Sequence, residues 1–211
     1  MATQRTLFSS GWCITLVCGL LLLVPWVVWG GAATTLTEAQ YQQLKTQITV
    51  TDVNENQADV AAGRDQVIAD RYNQPVTPTF QVYKTAVTRK TILFEKSPAN
   101  TSFIFEGNGY LTLTVQELMT FHDFFDGPSL VMDASLPNVH SALDAIFKLP
   151  GNATNNRNHI KQQSSRAVTR AEKIYVTGTN AGTTADPGFL VWEGFLTQHD
   201  IRYALRGGPL P

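Results

Sequence analysis

Thr37-Glu38-Ala39-Gln40, Thr114-Val115-Gln116-Glu117 and Thr169-Arg170-Ala171-Glu172 share one pattern, a threonine followed three residues later by Glu or Gln. In such a capping box the hydroxyl accepts from the backbone N–H three residues on. The side chain there reaches back to the N–H of the threonine. Two orphan donors of a helix end are satisfied together, so each pattern marks a helix start. Thr197-Gln198-His199-Asp200 repeats it with Asp200 as the reciprocal acceptor, a charge that also suits the positive end of a helix. Four helix starts, no regular strand–helix alternation and no repeat of fixed period exclude a parallel sheet or a solenoid. They point to a mainly α chain.

Apolar spacing extends this reading. Leu36 is placed as a hydrophobic staple, and Tyr41, Leu44 and Ile48 share one face of a helix running to about Gln47. Polar residues 49–56 read as a break. Residues 57–72 read as a helix weakened at Gly63 and ended by Asn73, Pro75 and Pro78. Residues 79–85 read as extended, 88–95 as a short helix, and 97–109 as a loop interrupted by Phe103-Ile104-Phe105. The helix after Thr114 runs to Phe125, with Leu118, Phe121, Phe124 and Phe125 inward, and Gly127-Pro128 stops it. Asn138 is placed as the N-cap of the next helix, with Val139, Leu143, Ile146 and Phe147 inward. Residues 155–165 read as a polar helix. The expectation is one compact, mainly α domain at 34–211 with about six or seven short helices and one or two short extended segments. With 43% hydrophobic and 16% charged residues, a folded core is expected.

Residues 1–33 are different. Their one charged side chain is Arg5, and Gly11 to Ala33 carries no charge over 23 residues. At about 1.5 Å per residue such a run is long enough to cross a hydrocarbon core of about 30 Å. Trp26 and Trp29 suit a membrane interface, and Arg5 before the run favours an N-terminus kept inside. Three readings stand side by side: a retained anchor, a signal peptide cut near Ala33, or a segment that is not translated. In the last, Gly30-Gly31 would encode a ribosome-binding sequence and translation would start at a codon such as that of Leu36. Both cysteines, Cys13 and Cys18, lie in this segment, so residues 34–211 hold neither a disulfide framework nor a thiolate zinc site.

Little in the body resembles catalytic chemistry. Gly178 to Thr184 is a small-residue loop, but it follows a helix and precedes an extended run, the reverse of a phosphate cradle. Gly178 reads as the C′ glycine of the preceding helix. His122-Asp123 and His199-Asp200 read as helix-surface or cap residues, because no known ligand spacing joins them. No catalytic residue, cofactor or metal is expected. The most polarised run holds Arg157, Lys161, Arg166, Arg170 and Lys173. Arg157 and Lys161 are four apart, as are Arg166 and Arg170, so each pair is expected on one helix face. Such a run suits an acidic protein surface, or a solvated face. Nucleic acid is disfavoured by the net charge of −1 and by the lack of interleaved aromatics.

The stretch "RAVTRAEKIYVTGT…ADPGFLVWEGFLTQHDI" carries Arg166, Thr169 to Lys173, Thr177-Gly178-Thr179, Pro187, Glu193-Gly194, Leu196 and Asp200. It resembles the C-terminal signature of a family of small proteins of unknown biochemical role encoded in tailed-phage and prophage genomes. "TTLTEAQYQQLKTQI" resembles the family's start, "IADRYNQPVTPTFQVYKTAVTR" its next block and "PNVHSALDAIF" a third. The resemblance spans about residues 34–205 and implies a non-enzymatic virion structural or assembly protein. Its partners would be other virion proteins or copies of itself, and its place the virion. Residues 1–33 stand outside the family pattern. Residues 95–109 also depart from it, carrying "FIFEGNGY" near where the family has a tryptophan-bearing segment. The alternative takes residues 1–33 at face value: a bacterial envelope protein, membrane-anchored or exported, whose helical binding domain lies outside the cytoplasm.

Overall fold

The computed structural model describes residues 34–126 and 130–208. Residues 1–33, with Trp26 and Trp29, and the Gly127-Pro128 stop lie outside the described residues. Among those described, nine α-helices dominate: α1 (Glu38–Thr46), α2 (Val53–Ala61), α3 (Asp65–Tyr72), α4 (Arg89–Phe94), α5 (Val115–Asp123), α6 (Pro137–Ile146), α7 (Asn152–Gln163), α8 (Arg170–Ile174) and α9 (Gln198–Arg206). The fold is mainly α. Capping boxes at Thr37, Thr114, Thr169 and Thr197 all form, with Asp200 as the reciprocal acceptor at the last.

Several local readings are corrected. The expected break at 49–56 is a π-helical turn, Gln47–Thr51, running into α2. The buried Asn56 side chain donates to the carbonyl of Asp52 at 3.0 Å beside this widened turn. The helix expected at 57–72 is two helices. Gly63 adopts a φ of +68°, a left-handed conformation that a glycine takes without steric cost and that ends α2. Pro137, not a residue after Asn138, begins α6, with Leu136 at the N-cap; proline suits N1 because it lacks the N–H that would be orphaned there. The helix after Thr114 ends at Asp123.

Six short strands, more than the one or two expected, pair as three antiparallel ribbons: β1 (Gln81–Tyr83) with β4 (Ser165–Ala167), β2 (Val87–Thr88) with β3 (Val131–Met132), and β5 (Val176–Thr177) with β6 (Phe189–Leu190). A parallel bridge between Val82 and Gly188 joins the first and third. Gly188 lies against the Phe80 ring, and a Cβ at Gly182 would overlap the same ring, so bulk is excluded at both positions.

Val82, Val168 and Leu190 form a small apolar cluster along the first and third ribbons, and two larger apolar cores hold most of the other buried apolar side chains. One is built from both ends of the described chain: Tyr41, Leu44, Ile48, Ile68 and Tyr72 meet Tyr175, Trp192 and Ile201. The Trp192 indole N–H donates to the Thr34 carbonyl at 3.2 Å, which fixes where the chain enters this core. The other is built from the middle, where Ile92, Phe103, Phe121, Met132, Leu143, Phe147 and Ile160 pack together.

The polar helix α7 is largely buried on one side. Asn156, His159 and Gln163 recur every three or four residues, so they share a face, and all three are buried. Asn156 Oδ1 accepts from the Ile104 N–H at 2.7 Å, while Nδ2 donates to the carbonyls of Ile104 at 2.8 Å and Gly109 at 2.7 Å. His159 bonds through Nε2 to the Ile92 carbonyl at 2.9 Å and through Nδ1 to Thr101 Oγ1 at 3.0 Å. Gln163 Nε2 donates to the carbonyls of Thr91 and Glu95. Buried backbone groups outside regular structure must find partners, and this face supplies them for residues 91–109.

The buried histidines give a pH dependence of known sign. Burial holds His140 and His159 below the ordinary imidazole range, against the backbone hydrogen bonds that favour the charged form. The unfolded chain therefore takes up protons near pH 6.5 while the folded protein does so only at lower pH. Stability is full above about pH 6.5 and falls as the pH drops through the folded values. Urea midpoints should decrease from pH 7.5 to pH 5.5, and the decrease should shrink in His140→Phe. Equal slopes for both proteins would contradict this account.

Candidate functional site

The expected cationic run divides among separate internal partners. Arg157 and Lys161 share a face of α7, as their spacing requires, and both reach Asp144 of α6, at 3.6 and 3.3 Å. Arg166 and Arg170 do not share a helix face, because Arg166 lies in β4 and Arg170 opens α8. Arg166 forks onto the buried Glu172 at 2.9 and 2.7 Å and also meets Glu193 at 2.9 Å. Arg170 pairs with Glu55 at 2.7 Å and Asp52 at 3.4 Å, its guanidinium 5.3 Å from the Tyr72 ring centre. Lys173 stands 5.5 Å from the Phe80 ring centre and makes no ion pair among the described residues.

Arg170 and Lys173 line a cleft of about 690 Å³ with Gln47, Asp52, Glu55 and Arg71. Its floor is a polar network. Tyr72 donates to Asp52 at 2.7 Å, and Arg71 donates to Asn56 at 2.5 Å and Asp59 at 2.6 Å. Burial, together with the Asp52 carboxylate, pushes the Tyr72 phenol well above its ordinary value, so it acts as a donor and not as an acid. Opposite charges on the two walls largely neutralise each other.

The small-residue loop lies elsewhere. Gly178, with a φ of +87°, follows β5 instead of capping α8, which ends at Ile174. The loop closes the β5–β6 hairpin around Asp186, whose carboxylate accepts from Asn180 at 2.6 Å and from the Ala181 N–H at 2.8 Å. The chain's own carboxylate thus occupies the anion position that such a loop offers. Of the His-Asp pairs, His122 bonds to the Tyr110 hydroxyl at 3.2 Å, and Asp200 serves the cap of α9 and accepts from Tyr41 at 2.7 Å. Among the described residues no group of three or more His, Cys, Asp or Glu is placed to hold a metal ion, and no helix is long and apolar enough to cross a membrane.

An exposed apolar surface feature was not singled out by sequence reasoning. Phe94 is 73% exposed, Phe105 41%, Leu111 74%, Val115 74% and Met119 60%. They form one band. Phe94 stacks on Phe105 with centres 6.3 Å apart, and Phe105 meets Tyr110 edge-on at 5.6 Å. Tyr110 bonds to His122, which shares a face of α5 with Met119 and Val115 by helical spacing. The α7 side chains hold residues 91–109 beneath this band. The four-residue spacing of Val115 and Met119 on α5 was a signal for part of it. No family model, curated protein or solved structure matches the chain.

Proposed function

We propose that this chain is a non-enzymatic structural or assembly protein of a tailed-phage or prophage particle, working through protein–protein contacts. The observation that carries the contact part is the exposed apolar surface of Phe94 and Phe105, joined through Tyr110 and His122 to Val115 and Met119 on α5. Contiguous apolar surface of this kind marks interaction sites, because leaving it in water is costly. The particle itself rests on the resemblance of residues 34–205 to the phage family. Mass spectrometry of purified particles should detect peptides of the body; particles without them would refute the assignment.

A second reading, a membrane-anchored or exported envelope protein with a helical binding domain, takes the uncharged run Gly11 to Ala33 at face value, with the cleft lined by Asp52, Glu55, Arg71, Arg170 and Lys173 as its binding pocket. Carbonate-resistant membrane association with peptides covering Gln4–Arg5 would support it. A soluble product lacking residues 1–33 from unprocessed synthesis would exclude it.

A further inference from the structure

We infer that the cleft bounded by α2, α3 and α8 binds a small zwitterion of the amino-acid or short-peptide class, its carboxylate met by Arg170 and Lys173 and its ammonium group by Asp52 and Glu55. The inference names a ligand class for the pocket of the envelope reading, yet it needs nothing from residues 1–33 and holds wherever the chain resides. The cleft measures about 690 Å³, within the range of about 300–1,000 Å³ that small-molecule sites occupy. Its charged groups are only half used. Asp52 takes its side-chain donors on Oδ2 alone: Tyr72 at 2.7 Å, Gln47 at 3.1 Å and Arg170 at 3.4 Å. Glu55 meets Arg170 through Oε2, and Arg170 gives both carboxylates the same nitrogen, Nη2. Among the described residues, Asp52 Oδ1, Glu55 Oε1 and the Nε and Nη1 atoms of Arg170 have no hydrogen-bond partner, and none of these atoms is sealed from solvent. Lys173 is exposed and makes no ion pair among the described residues. All four side chains line the cleft, so their open donors and acceptors are offered to the space they enclose.

The charge pattern selects the ligand. Arg71 is spent on Asn56 and Asp59, which leaves two cations facing two carboxylates. A simple anion would be repelled by Asp52 and Glu55, and a simple cation by Arg170 and Lys173. An apolar molecule would strip water from four charges and return no hydrogen bond. A ligand carrying both charges satisfies both pairs, and hydrogen bonds between ionised groups are the strong ones. The backbone gives an independent pointer. Gln47 begins the π-helical turn and Asp52 caps it, and the Asp52 N–H donates to the Gln47 carbonyl at 2.8 Å to close it. Such turns are rare and recur at functional sites. This one sets both residues in the cleft wall, where the Tyr72 hydroxyl holds Asp52 by one oxygen and so orients its carboxylate.

The test is a titration of the isotope-labelled full chain, dispersed in a mild detergent, with triglycine, followed by backbone amide shifts in NMR spectra. Saturable shifts are expected at Gln47, Asp52, Arg170 and Lys173, with a dissociation constant on the order of 1 mM for a ligand of this size. Triglycinamide lacks the carboxylate and N-acetyltriglycine lacks the ammonium group, so each should bind at least tenfold more weakly. Glycine separates the two sources: tighter binding than triglycine assigns the site to free amino acids, weaker binding to peptides. Lys173→Ala should weaken triglycine about tenfold and leave triglycinamide unchanged. Glu55→Gln should weaken triglycine and leave N-acetyltriglycine unchanged. Both positions are exposed, so circular dichroism should match the parent. No saturable shift at these residues, equal affinity for triglycine and its two blocked forms, or variants that affect all three alike would each overturn the inference. A chain found in particles that binds no probe would reject the ligand class alone. A chain that binds triglycine but is absent from particles would reject the particle assignment alone.

Discussion

Asn156→Ala is expected to lower unfolding free energy by about 2–4 kcal/mol, because it removes the partner of three backbone groups at once, one in a buried bond and two in partly buried ones. The Ile104 N–H, the Ile104 carbonyl and the Gly109 carbonyl all pair with this one side chain. Each stranded group costs roughly 1–3 kcal/mol where water cannot reach it, and relaxation of residues 97–109 recovers part of that. A substitution that kept the volume but not the polarity, Asn156→Leu, should be no better. Urea unfolding followed by tryptophan fluorescence measures the loss. Hydrogen exchange locates it: the Ile104 amide should lose its protection while amides of α1 and α9, which belong to the other core, keep theirs. Because Phe105 follows Ile104 directly, the band should lose its shape in the same variant. Equal protection of Ile104 in parent and variant would refute the account.

Asn156 also shows why part of this fold was legible in the sequence and part was not. A capping box is complete within four residues, so Thr37, Thr114, Thr169 and Thr197 could be read as helix starts with no knowledge of what lies around them. The apolar faces of α1 and α6 could be read because their periodicity is local. On α7 the rule is reversed. Beside Ala153 and Ile160 its inward residues are Asn156, His159 and Gln163, since the surface facing these three is irregular backbone that needs hydrogen bonds more than apolar contact. Periodicity counts apolar residues and so reports only a polar helix there. The strands were obscure for a related reason. Tyr83 pairs with Ser165, far along the chain, and ribbons of two or three residues leave no alternating pattern to detect.

The surface was less legible than the core. The charged run from Arg157 to Lys173 has the spacing of a contact face, but spacing does not reveal Asp144, Glu172, Glu193, Glu55 and Asp52 arriving from other elements. Val115 and Met119 had the opposite fate. They are apolar residues on an amphipathic helix whose inward face was expected at Leu118, Phe121, Phe124 and Phe125, yet an apolar residue off that face is not by itself a sign of a contact surface.

Glu172→Ala is the other variant with a large expected effect, and it separates an internal role for the cationic run from an external one. Glu172 is buried and accepts a two-pronged contact from Arg166 at 2.9 and 2.7 Å, while its Oε2 also takes the Thr169 N–H at 3.1 Å to close the capping box of α8. Removing one partner of a buried pair typically costs about 3–5 kcal/mol, since the other charge is left without compensation. Here Arg166 keeps Glu193 at 2.9 Å and is about a quarter exposed, so a loss of about 2–4 kcal/mol is expected. Glu172→Gln keeps an acceptor for the Thr169 N–H and should cost less, with the difference between the two variants reporting the cap, worth about 1 kcal/mol. Arg166→Ala should be destabilising as well, and its effect should persist at 0.5 M salt, because a pair shielded from solvent is screened weakly. If Arg166 served mainly to contact a partner, Arg166→Ala would leave the urea midpoint of the isolated chain unchanged and weaken only its association. That result would return the run to the surface role its spacing suggests. A shifted midpoint would make it part of the frame that joins β1, β4 and α8.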